Sequence, residues 1–261
     1  VVLVGSVVAI SIFAINAAKE KTRAEQVKGF VANMLSSVDP ANTGAIDEDR
    51  LELMLSEASK ALEEQFADQP LVEAEIRGVI GKAYESFGMD DEARPHIVEA
   101  LAIHRRILGN DHPDTLISIS SMGDLLMHQG KYDKAEEHCR EALENRRRLL
   151  GDDHPDTLTS INNMGALLMH QGKYDEAEPY CREAMEGRRR VLGDEHFDTL
   201  GSINNMGLVF QTRGRYSESE PYFRESLGKY RLLLGDEHPR TLILICNMGL
   251  LLSDQGKFDK A

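Results

Sequence analysis

The residues with the most evident capacity for chemistry are histidines, which can bind a metal ion or act as a base. Four of the nine recur at an interval of 42 residues: His112, His154, His196 and His238. Equivalent side chains of packed helices lie about 10 Å apart, whereas zinc ligands lie ~2 Å from the ion, so these histidines cannot share a zinc ion. We therefore predict no metal site and expect these histidines to order the loops that contain them.

A second set of polar residues recurs inside predicted helices, where asparagine is a poor helix former and needs a specific reason to be present. The set comprises Asn163, Asn205 and Asn247, and Asn162 and Asn204 precede two of them. An amide both donates and accepts hydrogen bonds, so it can pair with a peptide unit in either direction. The alternative is that these amides bridge neighbouring helices and only hold their curvature.

The charge balance and the missing motifs exclude several classes of function. The formal net charge is -14 at pH 7, whereas nucleic-acid binding needs a clustered positive surface. The basic triplets at 146–148 and 188–190 fall at predicted helix ends, where cations complement the helix dipole, so we interpret them as structural. The chain contains no glycine-rich phosphate loop, no His-Arg-Asp and no Asp-Phe-Gly motif. We predict that it is not an enzyme, has no catalytic residues and binds no cofactor.

A repeated linker motif sets the spacing of the recurring histidines and asparagines. Leu-Gly-x-x-His-Pro-x-Thr, or a close variant, begins at Leu108, Leu150, Leu192 and Leu234. A constant period in this size range is typical of a solenoid, in which each unit buries its apolar face by stacking on the next. Proline at the first helical position costs no hydrogen bond, and glycine can end a helix in the left-handed conformation. Each unit is therefore predicted to be a pair of helices.

The units differ along the array. Residues 70–108 keep the small residues of the pattern, but Asp90 stands where the regular units have Tyr132 and its equivalents, so we predict a degenerate capping unit. Residues 109–261 form the regular array, and its last unit stops before a second helix, so we expect the array to continue. A glycine inside a helix costs about 1 kcal/mol relative to alanine, so its return in every first helix predicts close helix contact, at Gly123, Gly165, Gly207 and Gly249.

The beginning of the chain has a different character. Residues 1–18 carry no charged side chain, and a membrane helix needs about 20 mostly apolar residues, so we predict a transmembrane helix truncated at its start. A signal-peptide core is the alternative, but it should be shorter and end at a cleavage site. Residues 19–69 are predicted to form a helical neck with Val27, Phe30 and Met34 on one apolar face. The expected localisation is a single-pass membrane protein.

The pattern Gly165-x-x-Leu168 followed by Gly172-x-Tyr174-x-x-Ala177 resembles the tetratricopeptide repeat. The 42-residue period and the His-Pro linker are similar to the kinesin-light-chain type of that repeat. The resemblance covers residues 70–261 and implies an all-α, right-handed superhelical solenoid of antiparallel helix pairs, preceded here by the predicted membrane helix.

In related repeats, the equivalents of the recurring asparagines face an inner groove and bind the backbone of an extended peptide. The resemblance therefore implies that the partner is an extended peptide or protein segment. The predicted groove residues are Asn162, Asn163, Asn204, Asn205, Asn247, Ser121, Asp124, His128, His170 and Gln211. The bridging alternative stays open, and the sequence does not set the oligomeric state.

The segment before the repeats is similar to the region that joins kinase and repeats in bacterial membrane-anchored serine/threonine kinases. The similarity rests on the apolar span, the charged helix after it and Val27-Lys28-Gly29-Phe30. It implies a sensing or assembly role beside a kinase domain outside this chain, anchored in the bacterial inner membrane, with the side of the repeats left open. A kinesin-light-chain-like cargo adaptor without an enzymatic partner domain is the alternative.

Overall fold

The computed structural model describes residues 18–34 and 48–256, and these ranges contain helices and no strand. The helices are α1 (residues 18–34), α2 (Glu48–Gln65), α3 (Pro70–Ser86), α4 (Asp90–Leu108), α5 (Pro113–His128), α6 (Tyr132–Leu150), α7 (Pro155–His170), α8 (Tyr174–Leu192), α9 (Phe197–Thr212), α10 (Tyr216–Leu234) and α11 (Pro239–Asp254). The predicted all-α solenoid of helix pairs is confirmed. The chain divides into two compact units, unit 1 (Val1–Gln129) and unit 2 (Gly130–Ala261).

Unit 1 is organised around the pair α3 and α4, with α2 packed on α3 and α5 packed on α4. Leu62 of α2 and Ile76 of α3 are fully buried in one apolar cluster. Phe30 of α1 joins this cluster and meets Phe66 edge-on, with ring centroids 5.8 Å apart. The apolar face predicted for the neck therefore lies against the same core as the first helix pair.

Unit 2 repeats one packing arrangement along its length. α7 pairs with α8 and α9 with α10, while α6 packs on α7, α8 on α9 and α10 on α11. Equivalent residues of successive repeats are buried to the same extent, as Leu158 and Leu200 show in the first helices of their repeats. Each helix pair thus buries its apolar face against its neighbour, which is how a repeat array gains stability.

The linker residues end one helix and begin the next, as the sequence predicts. Nδ1 of His154 accepts a hydrogen bond of 3.2 Å from the backbone N–H of Asp156, and Pro155 opens α7. The same cap recurs at His112, His196 and His238. Gly172, with φ of 74°, follows α7, and the next residue donates its N–H to Leu168 O at 2.9 Å. The linker histidines therefore order their loops through hydrogen bonds to the backbone.

Close helix contact at the recurring glycines is confirmed where the structure resolves their surroundings. A Cβ atom at Gly165 would lie 2.7 Å from Sγ of Cys181, and one at Gly207 would lie 2.5 Å from the Phe223 ring. Real Cβ atoms do not approach other atoms this closely, so only glycine fits. Cys181 is a buried free thiol, and burial raises its pKa to about 12.

The membrane prediction needs correction. The predicted span, residues 1–18, lies outside the described residues except for its last residue, and the end of the last unit, 257–261, lies outside them too. Of the helices that the structure describes, none combines the length and the apolar character that crossing a bilayer requires. This finding contradicts the predicted membrane-anchored localisation, which we withdraw.

Two alanine substitutions in α9 test the close contact. Gly207→Ala places a methyl group into the Phe223 ring, and overpacking of this kind costs about 1–3 kcal/mol. A Cβ at Gly201 meets nothing within 4 Å, so Gly201→Ala is expected to raise the free energy of unfolding by up to ~1 kcal/mol. Urea unfolding measures both changes, and equal shifts in the two variants would contradict the close contact.

Candidate functional site

The asparagines of α7, α9 and α11 form hydrogen bonds between neighbouring repeats of unit 2. Nδ2 of Asn205 donates to Oδ1 of Asn162 at 3.1 Å, and Nδ2 of Asn247 donates to Oδ1 of Asn204 at 3.0 Å. Both bonds run in the same direction along unit 2, from the later helix to the earlier one. We call the surface formed by Asn162, Asn163, Asn204, Asn205 and Asn247 the asparagine face. Its five side chains are all half-buried, so they remain within reach of a ligand.

The bridges use only part of the hydrogen-bonding capacity of these amides. An asparagine side chain offers two donor hydrogens and an acceptor oxygen with two lone pairs. Asn205 and Asn247 each spend one donor on the bridge, which leaves an oxygen and a second hydrogen on each amide. The structure therefore shows the bridging arrangement for these pairs, and the same geometry holds the remaining polar atoms in fixed orientations.

A buried arginine supports this face from α8. Nη1 of Arg188 donates to Oγ of Ser202 at 2.8 Å and to the carbonyl of Asp198 at 3.0 Å, and its Nη2 donates to Oγ1 of Thr159 at 3.1 Å. Ser202 in turn donates to Oδ1 of Asn162 at 3.1 Å. Burial lowers the pKa of Arg188, and the nearby Asp198 carboxylate partly opposes that shift. The network joins the linker, the helix core and the asparagine face.

The helix-end interpretation of the basic triplets describes only part of their role. Arg146 and Arg188 are about 95% buried, and each forms a hydrogen bond to the following repeat. Arg146 donates to Ser160 at 2.7 Å, as Arg188 does to Ser202. Their neighbours Arg147 and Arg189 are half-buried and pair with Glu183 and Glu225, whereas Arg190 forms an exposed ion pair with Asp153. The signal for the buried position was present in the sequence as a serine 14 residues after each arginine.

The remaining predicted groove residues of unit 2 lie at the ends of the same helices. His170, at the end of α7, stacks on Tyr132 with ring centroids 5.7 Å apart and an interplanar angle of 11°. Nε2 of Gln211, near the end of α9, donates to Oδ2 of Asp254 at 2.8 Å. His170 of α7 is thus held by α6, the preceding helix, and Gln211 of α9 by α11, the first helix of the following repeat.

The three predicted residues of unit 1 are each placed by a different contact. Ser121 is half-buried and lines a cavity between α3, α4 and α5. Oδ2 of Asp124 lies 3.5 Å from Nζ of Lys82, and Nδ1 of the exposed His128 lies 3.7 Å from Oδ1 of Asp90. Unit 1 therefore offers a charged and partly apolar surface where unit 2 offers neutral amides.

Comparison with protein families identifies the repeats. One tetratricopeptide repeat profile matches residues 118–168, 156–231 and 198–261, which together span 118–261 and exceed half of the chain, and a second tetratricopeptide repeat profile matches residues 74–114. The chain belongs to the tetratricopeptide repeat family. Comparison with curated protein sequences gives no match.

Solved structures of tetratricopeptide repeat proteins share the fold. BtubC (BKLC) from P. vanneervenii is 20% identical with a TM-score of 0.66, over 84% of this chain and 87% of that protein. A putative kinesin light chain from Podosopora anserina with nearly identical repeats is also 20% identical, with a TM-score of 0.60 over 70% and 87% of the two chains. The apo form of RapI is 16% identical, with a TM-score of 0.61 over 80% and 79%.

These likenesses support the kinesin-light-chain-type resemblance at the level of fold. The solenoids of this family are repeat scaffolds that present extended binding surfaces. None of these findings bears on the similarity of the neck to kinase-linked segments, which stays a hypothesis.

Substitutions in one arginine triplet distinguish the buried position from the surface one. Arg188→Lys keeps the charge but cannot reach Ser202, Thr159 and the Asp198 carbonyl together, and hydrogen bonds from charged groups are worth about 1.5–3 kcal/mol each. We expect a clear fall in the free energy of unfolding. Arg190→Ala, which removes an exposed ion pair, is the matched control and should leave the melting temperature unchanged. Similar losses in both variants would contradict the network.

Proposed function

We propose that this tetratricopeptide repeat protein binds an extended peptide or protein segment along the asparagine face of unit 2. The observation that carries the proposal is the pair of asparagine bridges with a common direction. Side chains held in one orientation lose little further entropy when a ligand binds, and such preorganisation raises affinity. The spare oxygen and hydrogen of Asn205 and Asn247 match the N–H and carbonyl of a peptide backbone.

The hydrogen bonds alone supply only modest affinity. Each is worth about 1 kcal/mol net, so the amides of Asn163, Asn205 and Asn247 together contribute no more than a millimolar dissociation constant. The apolar contribution must come from neighbouring side chains on the same helix faces. Met169 of α7 and Leu208 of α9 are half-buried at such positions and offer contacts to the side chains of the guest.

The proposal extends to the setting in which the scaffold works. The neck sequence around Val27-Lys28-Gly29-Phe30 supports a sensing or assembly role beside a bacterial serine/threonine kinase domain encoded outside residues 1–261. The structural likeness to a putative kinesin light chain favours the second candidate, a cargo adaptor. The coding sequence upstream of Val1 separates the two, since a kinase domain supports the first and coiled-coil heptads support the second.

Peptides selected from a random dodecapeptide phage library on the wild-type protein provide the probe for binding. Asn205→Ala combined with Asn247→Ala is expected to weaken their binding about 30-fold, the equivalent of two hydrogen bonds of ~1 kcal/mol. The same variant should lose a similar amount of stability, because both bridges are removed. Fluorescence anisotropy measures the dissociation constant, and urea unfolding measures the stability.

A steric variant separates recognition from bridging. A Cβ at Gly201, one turn from Asn205 on α9, meets nothing within 4 Å, so the side chain of Gly201→Leu starts in open space beside the asparagine face. We expect at least tenfold weaker peptide binding and no loss of stability. Gly228→Leu on α10 also enters open space and is the matched control. Unchanged peptide affinity in Gly201→Leu would show that the amides serve bridging alone.

A further inference from the structure

Unit 1 contains a cavity of about 380 Å³ between α3, α4 and α5. Its wall is mainly apolar and includes Ile97 and Ala100 of α4, with Val79 and Ile117 exposed at 38% and 56%. Two exposed branched side chains beside an apolar space leave apolar surface in contact with water, which a ligand could cover. The volume is sufficient for one or two amino-acid side chains.

A buried histidine with a ring nitrogen that is unpartnered in the described part of the chain lies beside the cavity. His104 lines the cavity and is only 4% exposed. Its Nδ1 lies 2.8 Å from Oγ of Ser118, while its Nε2 has no hydrogen-bond partner among the residues that the structure describes. A buried polar atom without a partner costs free energy. Burial lowers the pKa of His104, so the ring is neutral near pH 7 and does not repel a cation.

The charged groups around the cavity give it a net negative character. Glu75 and Asp114 lie on its lining, where both pair with Arg23 of α1. Lys82 also lines it and lies 3.2 Å from Glu85 and 3.5 Å from Asp124. Four carboxylates thus face two cations, a formal balance of -2. Burial raises the pKa of Glu75, and the nearby Arg23 guanidinium opposes that shift.

We propose that this cavity receives a lysine or arginine side chain of a bound peptide. A basic side chain combines an apolar stem, which suits the wall of Val79, Ile97 and Ile117, with a cationic head that only donates hydrogen bonds. The carboxylates of Glu75 and Asp114, which line the cavity, are the acceptors for that head. The assignment rests on the proposed function in one respect, namely that the guest is a peptide.

Other guests fit the site less well. A purely apolar side chain would cover the wall but leave the net negative charge around the cavity uncompensated. An acidic side chain would meet the field of Glu75, Asp114, Glu85 and Asp124 and be repelled. The cavity therefore selects by charge as well as by shape.

Three capped pentapeptides test the proposal. The probes are acetyl-Ala-Ala-Arg-Ala-Ala-amide and its counterparts with norleucine or glutamate in place of arginine, each titrated into the full chain and followed by NMR. The arginine peptide is expected to shift resonances of cavity residues at 74–121 and to bind at least tenfold more tightly than the norleucine peptide. The glutamate peptide should leave them unchanged. Equal affinity for the arginine and norleucine peptides would overturn the charge assignment.

A cavity-filling variant provides the structural control. Gly78 lines the cavity, and a Cβ there meets nothing within 4 Å, so the side chain of Gly78→Leu starts in open space at the cavity. It should abolish the shifts of the arginine peptide and keep the melting temperature at or above that of the wild type, since glycine is a poor helix former. Gly29→Leu on α1, also in open space, should bind as the wild type does.

The outcomes separate this inference from the proposed function. Shifts confined to α7, α9 and α11 would overturn the cavity assignment while supporting peptide binding at the asparagine face. Unaltered binding of the arginine peptide by Gly78→Leu would also overturn it. If Gly201→Leu weakens the binding of phage-selected peptides but the arginine peptide causes no shift, the cavity is not a binding site. The proposed function is then unaffected.

Discussion

The tight packing of the partner helix against the recurring glycines is the constraint on which unit 2 depends. No side-chain carbon fits at Gly165 beside Cys181, or at Gly207 beside Phe223, so α7 and α9 lie against their partner helices at a closely fixed separation. Because each pair has the same geometry, the next pair meets the same surface. Residues 43 positions apart therefore meet twice in succession, as the bridges from Asn162 to Asn205 and from Asn204 to Asn247 show.

The second constraint is the position of a buried guanidinium, that of Arg188, at the junction between two repeats of unit 2. Arg188 donates its hydrogen bonds to neutral oxygens, and a charge in a low-dielectric interior needs several such partners to offset its desolvation. Ser202 accepts from Arg188 and donates to Asn162, so the junction and the asparagine face share one hydrogen-bond chain. The junction and the asparagine face are consequently coupled in unit 2, so a variant that removes an amide of this face also affects stability.

The sequence alone predicted those features that a single residue type can dictate. Proline and histidine in the linker, the helix-ending Gly172 and the mid-helix Gly207 have few structural solutions, and the structure confirms the elements expected from them. A long polar side chain, in contrast, can form hydrogen bonds with many different partners in a folded structure. Arg188 at a helix end was equally compatible with a dipole interaction or a buried contact, and the choice depends on which atoms the next unit brings near. The cavity beside His104 is likewise a property of packed helices and has no local signature.

Unit 1 shows the consequence of losing the junction arginine. Counting back two periods from Arg188, Thr159 and Asp198 gives His104, Glu75 and Asp114. The imidazole is shorter than an arginine side chain, and in unit 1 a cavity lies beside His104. A guanidinium nevertheless lies between the equivalents of Thr159 and Asp198, since Arg23 of α1 pairs with Glu75 and Asp114. Because this cation comes from outside the helix pair, α1 is part of the packing of the first unit, and the charge balance of the cavity depends on where α1 lies.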